Sequence, residues 1–274
     1  MLSTTAALIR DTFREAFARR IFWGFFGCCT ALLLFLIFIM RIDVVEGAIA
    51  TVTLFGRSAP STNVQQLVHQ TQSVIAMVLY FAGMALAVFA SAGLVAAVFE
   101  PGRIELLLSK PVSRTHLLLG RYLGNVLVIA VNVIYLVGGS WIIFGLKTDL
   151  WGAGYLLSSV YTIFIFAVLL AVLVLVGVLW DSSAVAIMAT FAIMIISVIV
   201  AQKNVIERLL SSEGSRNVVR VLYYTLPKLS DIAVIIRLVI LNEPVGSWMP
   251  LWSTALFGAV VLMLGLWKFQ RRTF

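Results

Sequence analysis

The chain has 274 residues, 62% of them hydrophobic and 12% charged, with a formal net charge of +8 and a mean hydropathy of +1.07. Soluble domains average about 45–50% apolar and about 25% charged residues, so the composition excludes an ordinary soluble fold and predicts one all-α membrane domain. The cysteines are adjacent, Cys28 and Cys29, inside an apolar run, which excludes a disulfide framework and a spaced metal site.

Residues 4–20 predict an amphipathic helix. Ile9, Phe13 and Phe17, with Ala6 and Ala16, share one face, while Arg10, Asp11, Arg14 and Glu15 fall elsewhere. Glu15 and Arg19 form a favourable i,i+4 pair. Such a helix lies in the membrane interface. It is not expected to be a cleaved signal, because its charged part is long, the next run spans fully and no A-x-A site follows. "FFGC" at 25–28 sits mid-span without the aliphatic lead of a lipoprotein site.

A span needs about 20 apolar residues. Six segments are assigned: 21–40, 73–99, 122–146, 153–180, 183–201 and 249–267. None contains Asp, Glu, Lys, Arg or His. Arg10, Arg14, Arg19 and Arg20 precede the first span. Arg103, Lys110, Arg114 and Arg121 lie between the second and third, and Lys268, Arg271 and Arg272 follow the last. By the positive-inside rule these three segments are cytoplasmic, giving six spans with both termini inside. The opposite loops hold Arg41 and Arg57, and Lys147. Segment 202–248 dissents: it is placed outside yet carries Lys203, Arg208, Arg216, Arg220, Lys228 and Arg237.

Between the second and third spans stands "EPGRIELLLSKPVSR", residues 100–114. Pro101 suits a first helical position, and Glu100 places negative charge against the positive helix end. A short helix over 101–109 stops before Pro111. It is too short to be stable alone. Ile104, Leu107 and Leu108 form its apolar stripe; Arg103, Glu105 and Lys110 are polar handles. Two readings fit equally: a cationic loop on anionic lipid, or a docking helix for a cytoplasmic partner. Ser113 can cap the helix that runs on into the third span.

Along that span Arg121, Asn125, Asn132, Tyr135 and Gly139 recur at helical spacing. Amides in hydrocarbon need partners. The stripe either faces a substrate path or a seam between two chains, or joins helices within one chain. Gly120-x-x-x-Gly124 permits close helix approach. Asp181 in "WDSSA" is expected to cap the fifth span. Residues 202–248 are too polar to cross. "NVIERLLSS" and "RNVVRVLYYTL" read as short amphipathic helices at the outer surface, and Ser230 or Asp231 could cap "IAVIIRLVIL", ended by Asn242 and Pro244.

The pattern "E..G.IELLLSKPVSR...LLGRYLG" resembles the permeases of type-2 ATP-binding-cassette exporters, the group that includes the nitrous-oxide-reductase maturation permeases. The matching positions are Glu100, Gly102, Leu107, Leu108, Ser109, Pro111, Ser113, Arg114, Gly120 and Arg121. "TFREAFARRIF" at 12–22 and "YYTLPKLSD" at 223–231 are similar to the family's N-terminal interfacial helix and to a Pro-containing stretch before its last span. The resemblance implies a machine of two permeases and two ATPases, here a homodimer of this chain. Residues 101–109 would be a coupling helix in a groove of the ATPase. Glu100, Gly102, Arg103, Ile104, Leu107, Leu108, Pro111 and Arg114 would carry the coupling, and Asn125, Asn132 and Tyr135 the path or seam.

No G-x-x-x-x-G-K-[ST] loop occurs. The chain is therefore expected to bind no cofactor and to be no enzyme, with ATP and Mg on the partner ATPase in a cell membrane. Membrane lipid is a partner and nucleic acid is not. A secondary transporter or channel would usually keep ionisable residues in its spans. An intramembrane enzyme needs a nucleophile–base pair or a metal motif. A non-transporting anchor or assembly subunit could carry the same features as the exporter permease.

Overall fold

The computed structural model describes residues 2–18, 20–38, 41–45, 49–54, 57–58, 62–96, 113–210 and 212–271. Helix α1 (Leu2–Ala18) and helix α2 (Arg20–Phe38) meet at a 73° bend. Strands β1 (Arg41–Val45), β2 (Ile49–Leu54), β3 (Arg57–Ser58) and β4 (Thr62–Asn63) follow. Then come α3 (Val64–Val78), a π-helical turn (Leu79–Gly83) and α4 (Met84–Ala96). Beyond these lie α5 (Arg114–Thr148), α6 (Ala153–Trp180) and α7 (Ser183–Ala201). The short helices α8 (Lys203–Leu209), α9 (Glu213–Thr225) and α10 (Leu229–Ile240) lead to α11 (Met249–Gln270).

The fold is nearly all-helical. Five runs are long and apolar enough to cross a bilayer: Val64–Gly93, Arg114–Thr148, Ala153–Trp180, Ser183–Ala201 and Met249–Gln270. The bent α1–α2 pair, taken as one, makes six. Helix α6 is the hub: 72% of its apolar window is buried, against 22–44% for the other four runs. Ile165, Phe166, Leu169 and Leu173 on it are fully enclosed, and α5, α7, α10, α11 and α4 all pack around it. Its N-terminal turn comes so close to α10 that a Cβ on Gly154 would strike the Val239 carbonyl.

Several local expectations are corrected. The second span was expected to open at 73, but helix begins at Val64, where the Asn63 Oδ1 accepts from the Gln65 N–H at 2.9 Å. About two and a half extra turns of more polar helix thus precede the apolar run. Ser182, not Asp181, caps α7, through a 3.3 Å bond from the Val185 N–H. Asp181 instead closes α6 in the left-handed region at φ 54°. Neither Ser230 nor Asp231 caps α10, which starts at Leu229; the Asp231 carboxylate accepts from the Tyr223 hydroxyl at 2.7 Å. Asn242, at φ 58°, does follow the end of α10. The connection from α2 to α3 also carries an antiparallel sheet, with β1 and β2 paired from Arg41↔Thr53 to Val45↔Ile49 and β2 pairing β3 and β4. Sequence reading gave that stretch no element.

The two ends of the bundle are marked by side-chain contacts. At one, Gln270 near the end of α11 donates to Thr115 in the first turn of α5. At the other, the Lys147 ammonium donates to the Leu36 and Ile37 carbonyls at 2.7 and 3.0 Å, capping the C-terminus of α2.

Candidate functional site

Seven of the candidate coupling positions, Glu100, Gly102, Arg103, Ile104, Leu107, Leu108 and Pro111, lie outside the described residues. Their downstream flank is described. Ser113 caps α5 as expected, its Oγ accepting from the His116 N–H at 3.3 Å. Arg114 opens the helix half-buried, and Leu117 and Leu118 behind it are enclosed.

Helix α1 docks across this end of α5. Gly120 and Gly124 lie one turn apart and supply the groove. A Cβ at Gly120 would stand 2.8 Å from the Leu8 Cβ, and one at Gly124 2.7 Å from the Thr12 Cβ. Between these glycines, Arg121 is 2% exposed. Its Nη1 donates to Glu15 and its Nη2 to Asp11, each at 2.7 Å. One guanidinium thus spans an i,i+4 acid pair on α1, a geometry suited to its planar fork. The Glu15 carboxylate accepts from Arg121, and Arg19, expected as its i,i+4 partner, lies outside the described residues. The buried face of α1 is Thr12 and Ala16, with Leu8 half-buried beside it. Ile9 and Phe13 are half-buried and Phe17 is exposed, so the aromatic stripe is rotated off the docking face.

The polar stripe of α5 continues this contact. Asn125 and Asn132 are 1% and 0% exposed. Each donates to its own helix, to the Arg121 carbonyl at 2.9 Å and the Val128 carbonyl at 3.2 Å. Their Oδ1 atoms have no partner among the described residues. A cavity of about 20 Å³ beside Asn125 is lined also by Ala16, Phe22 and Ser91. The Tyr135 hydroxyl lies 3.2 Å from Thr30 Oγ1, and its ring stacks on Phe26 at 4.6 Å. A Cβ at Gly139 would press on Leu33 at 2.8 Å. From Gly120 to Gly139 the stripe is brought against α1 and α2 of the same chain. Cys28 is exposed and Cys29 buried, and among the described residues no group of three His, Cys, Asp or Glu could hold a metal.

A second polar knot joins the short helices that precede α11 to α11 itself. Lys228 is 3% exposed; its Nζ donates to Ser253 Oγ at 2.9 Å and its N–H to Thr254 at 3.0 Å. Burial lowers its pKa, against the opposing pull of Asp231. The Tyr223 ring has the Lys203 ammonium 3.8 Å from its centroid and the Lys228 ammonium at 4.8 Å, within the range of cation–π attraction. The buried Tyr80 hydroxyl, in the π-helical turn, donates to the Leu229 carbonyl at 2.8 Å. "YYTLPKLSD" therefore ties α9, α10 and α11 to the π-helical turn between α3 and α4, a role its sequence did not announce.

No curated protein matches the chain. The profile of the ABC-2 family transporter protein matches residues 6–273, from the helix that docks on Arg121 to the segment beyond Gln270. With the match running through all the membrane helices described above, the chain belongs to the ABC-2 transporter family, as a multi-pass membrane component of a kind that implies an ATPase partner.

Proposed function

We propose that this chain is the permease of an exporter, similar in kind to the nitrous-oxide-reductase maturation permeases, acting as a homodimer in the cell membrane. Both termini and segment 100–114 face the cytoplasm, and 202–248 faces out. Residues 101–109 form the coupling helix: Ile104, Leu107 and Leu108 bury in a groove of the ATPase. Glu100 stabilises the helix start, Gly102 and Pro111 bound it, and Arg103 and Arg114 make weaker rim contacts. ATP and Mg are bound by the ATPase alone. Asn125, Asn132 and Tyr135 serve as the packed wall of the moving bundle.

The observation that carries this reading is the clamp of α1 onto α5 by Arg121, seven residues after Arg114. A push on 100–114 would enter a long helix already locked to a second one. Co-purification tests it. Leu107→Asp should release the ATPase or uncouple its hydrolysis from transport, because an unpaired charge would enter an apolar groove. Arg103→Ala should do much less, being a surface contact. Retention of the partner with full coupling in Leu107→Asp would return 100–114 to the lipid surface. A reporter inserted at 212–216 should read outside and one after Phe274 cytoplasmic; a cytoplasmic reading at 212–216 overturns the topology.

A further inference from the structure

At the end of the bundle opposite Arg121, the polar start of α3 and the last turn of α10 enclose an open groove of about 450 Å³. Asn63, Gln65, Gln66, His69 and Gln70 line one side and Arg237 the other, with Leu241 the single apolar residue. The volume falls within the range of small-molecule sites, about 300–1,000 Å³. Among the described residues no carboxylate lines the groove, which favours an anion over a cation. Arg237 carries the formal charge, and among the described residues it has no hydrogen-bond or ion-pair acceptor.

Two features make this more than a polar surface. First, the backbone that carries Arg237 is anchored: Ile232, Ala233, Ile235, Ile236 and Ile240 of α10 are all buried. Arg237 is the one charged residue in the last turn of that helix, and it is exposed. Second, Gln65, His69 and Gln72 fall at i, i+4 and i+7 on α3, which places them on one helical face. Gln72 is 1% exposed, and its Nε2 has no acceptor among the described residues. Buried donors of this kind are rare in folded proteins. Gln72 lies beneath the groove and outside its lining, so the donors that face a ligand are those of Arg237, Gln65, Gln66 and Gln70.

We propose that this groove binds an oxyanion, a carboxylate or phosphate group. Arg237 supplies the charge and the fork, and Gln65, Gln66 and Gln70 supply amide donors. The source is either a soluble anion or the phosphate of a lipid headgroup, which share this chemistry. The binding does not depend on the coupling role assigned to 101–109.

The chain has two histidines, His69 in the groove and His116 at the other end of the bundle, so selective labelling gives a probe and an internal control. Full-length protein in phosphatidylcholine nanodiscs is titrated with pyrophosphate and, separately, glucuronate, at constant ionic strength set with chloride. The His69 ring resonances should shift saturably with at least one of the two, while His116 stays still. Arg237→Gln should weaken that binding at least tenfold, and its unliganded His69 signal should report an intact groove. Phosphatidylglycerol added to the nanodisc should raise the apparent Kd if headgroups occupy the groove, and leave it unchanged if the ligand is soluble; either outcome supports the oxyanion site. A His69 signal that neither anion moves, or that titrates identically in Arg237→Gln, overturns it.

Discussion

Arg121 and Glu15, 106 positions apart in the chain, meet at 2.7 Å with the guanidinium side chain 3% and the carboxylate side chain 16% exposed. Asp11 completes the fork from a position that is 57% exposed. Removing one partner of a fully buried pair costs about 3–5 kcal/mol, chiefly because the other charge is stranded. Here the acids left behind are partly solvated, their side chains 16% and 57% exposed. Arg121→Met should therefore cost no more than about 3 kcal/mol, and Arg121→Lys most of that, since a point charge cannot hold two acids in one plane. Asp11→Asn should stay within about 1 kcal/mol, as exposed pairs do. Denaturant unfolding of the detergent-solubilised protein ranks the variants. Equal costs for Asp11→Asn and Arg121→Met would show that the fork does not act as described.

The same docking face predicts a contrast between two glycines of one helix. Gly124 has no room for a Cβ against Thr12, whereas a Cβ on Gly138 meets nothing within 4 Å. Gly124→Ala should cost about 1–3 kcal/mol as an overpacking strain. Gly138→Ala should be neutral or stabilising, because alanine is the better helix former by about 1 kcal/mol. If α1 yields instead, Gly124→Ala should appear as a longer spin-label distance between Arg14→Cys and His116→Cys, with stability unchanged.

The sequence reading succeeded where composition changes sharply. The boundaries 153–180 and 183–201 coincide with α6 and α7, because Asp181 and Ser182 interrupt two runs free of charge. It failed at the start of α3: Gln65, Gln66, His69 and Gln70 are too polar for a hydropathy argument, yet the helix continues through them beyond the apolar run. The strands β1 and β2 are five and six residues long, and their β-branched content is hard to distinguish from a loop between spans. The stripe Asn125–Asn132–Tyr135 was legible by period alone. Its partners on α1 and α2 were not, since pairing across more than a hundred residues leaves no local trace. A trace did exist for the clamp: Arg121 sits between two glycines at i,i+4 spacing, and Asp11 and Glu15 repeat that spacing on α1.

Lys147 closes the other end of α2. Its ammonium donates to the last-turn carbonyls of Leu36 and Ile37, groups with no partner within the helix, and its charge opposes the negative helix end. Lys147→Met keeps the aliphatic stem and removes the cap. It should destabilise the end of α2 by about 1–2 kcal/mol, in the range for bonds to a charged group. Hydrogen exchange should quicken for amides near Phe38 and remain unchanged near Phe22. Uniform quickening along α2 would mean that Lys147 holds the whole helix in place.

The joint between α8 and α9 should weaken in acid. Arg220 donates to both oxygens of Glu207, at 2.9 and 3.0 Å. These hydrogen bonds hold the Glu207 carboxyl below its ordinary value, against the opposing effect of burial and with further help from the charges of Arg220, Lys203 and Arg216. A folded-state value below the unfolded one means that the contribution is complete above the ordinary glutamate value of about 4.3 and is lost as pH falls through the lowered folded value. The pair is exposed, so the effect is small and screened by salt. Amide exchange over 203–225, corrected for intrinsic rates, should show protection that declines below about pH 4, and that declines less in wild type at high salt, where the pair contributes less from the outset. Glu207→Gln should flatten the pH dependence. If the Gln variant keeps the wild-type profile, the Glu207–Arg220 pair does not hold the joint.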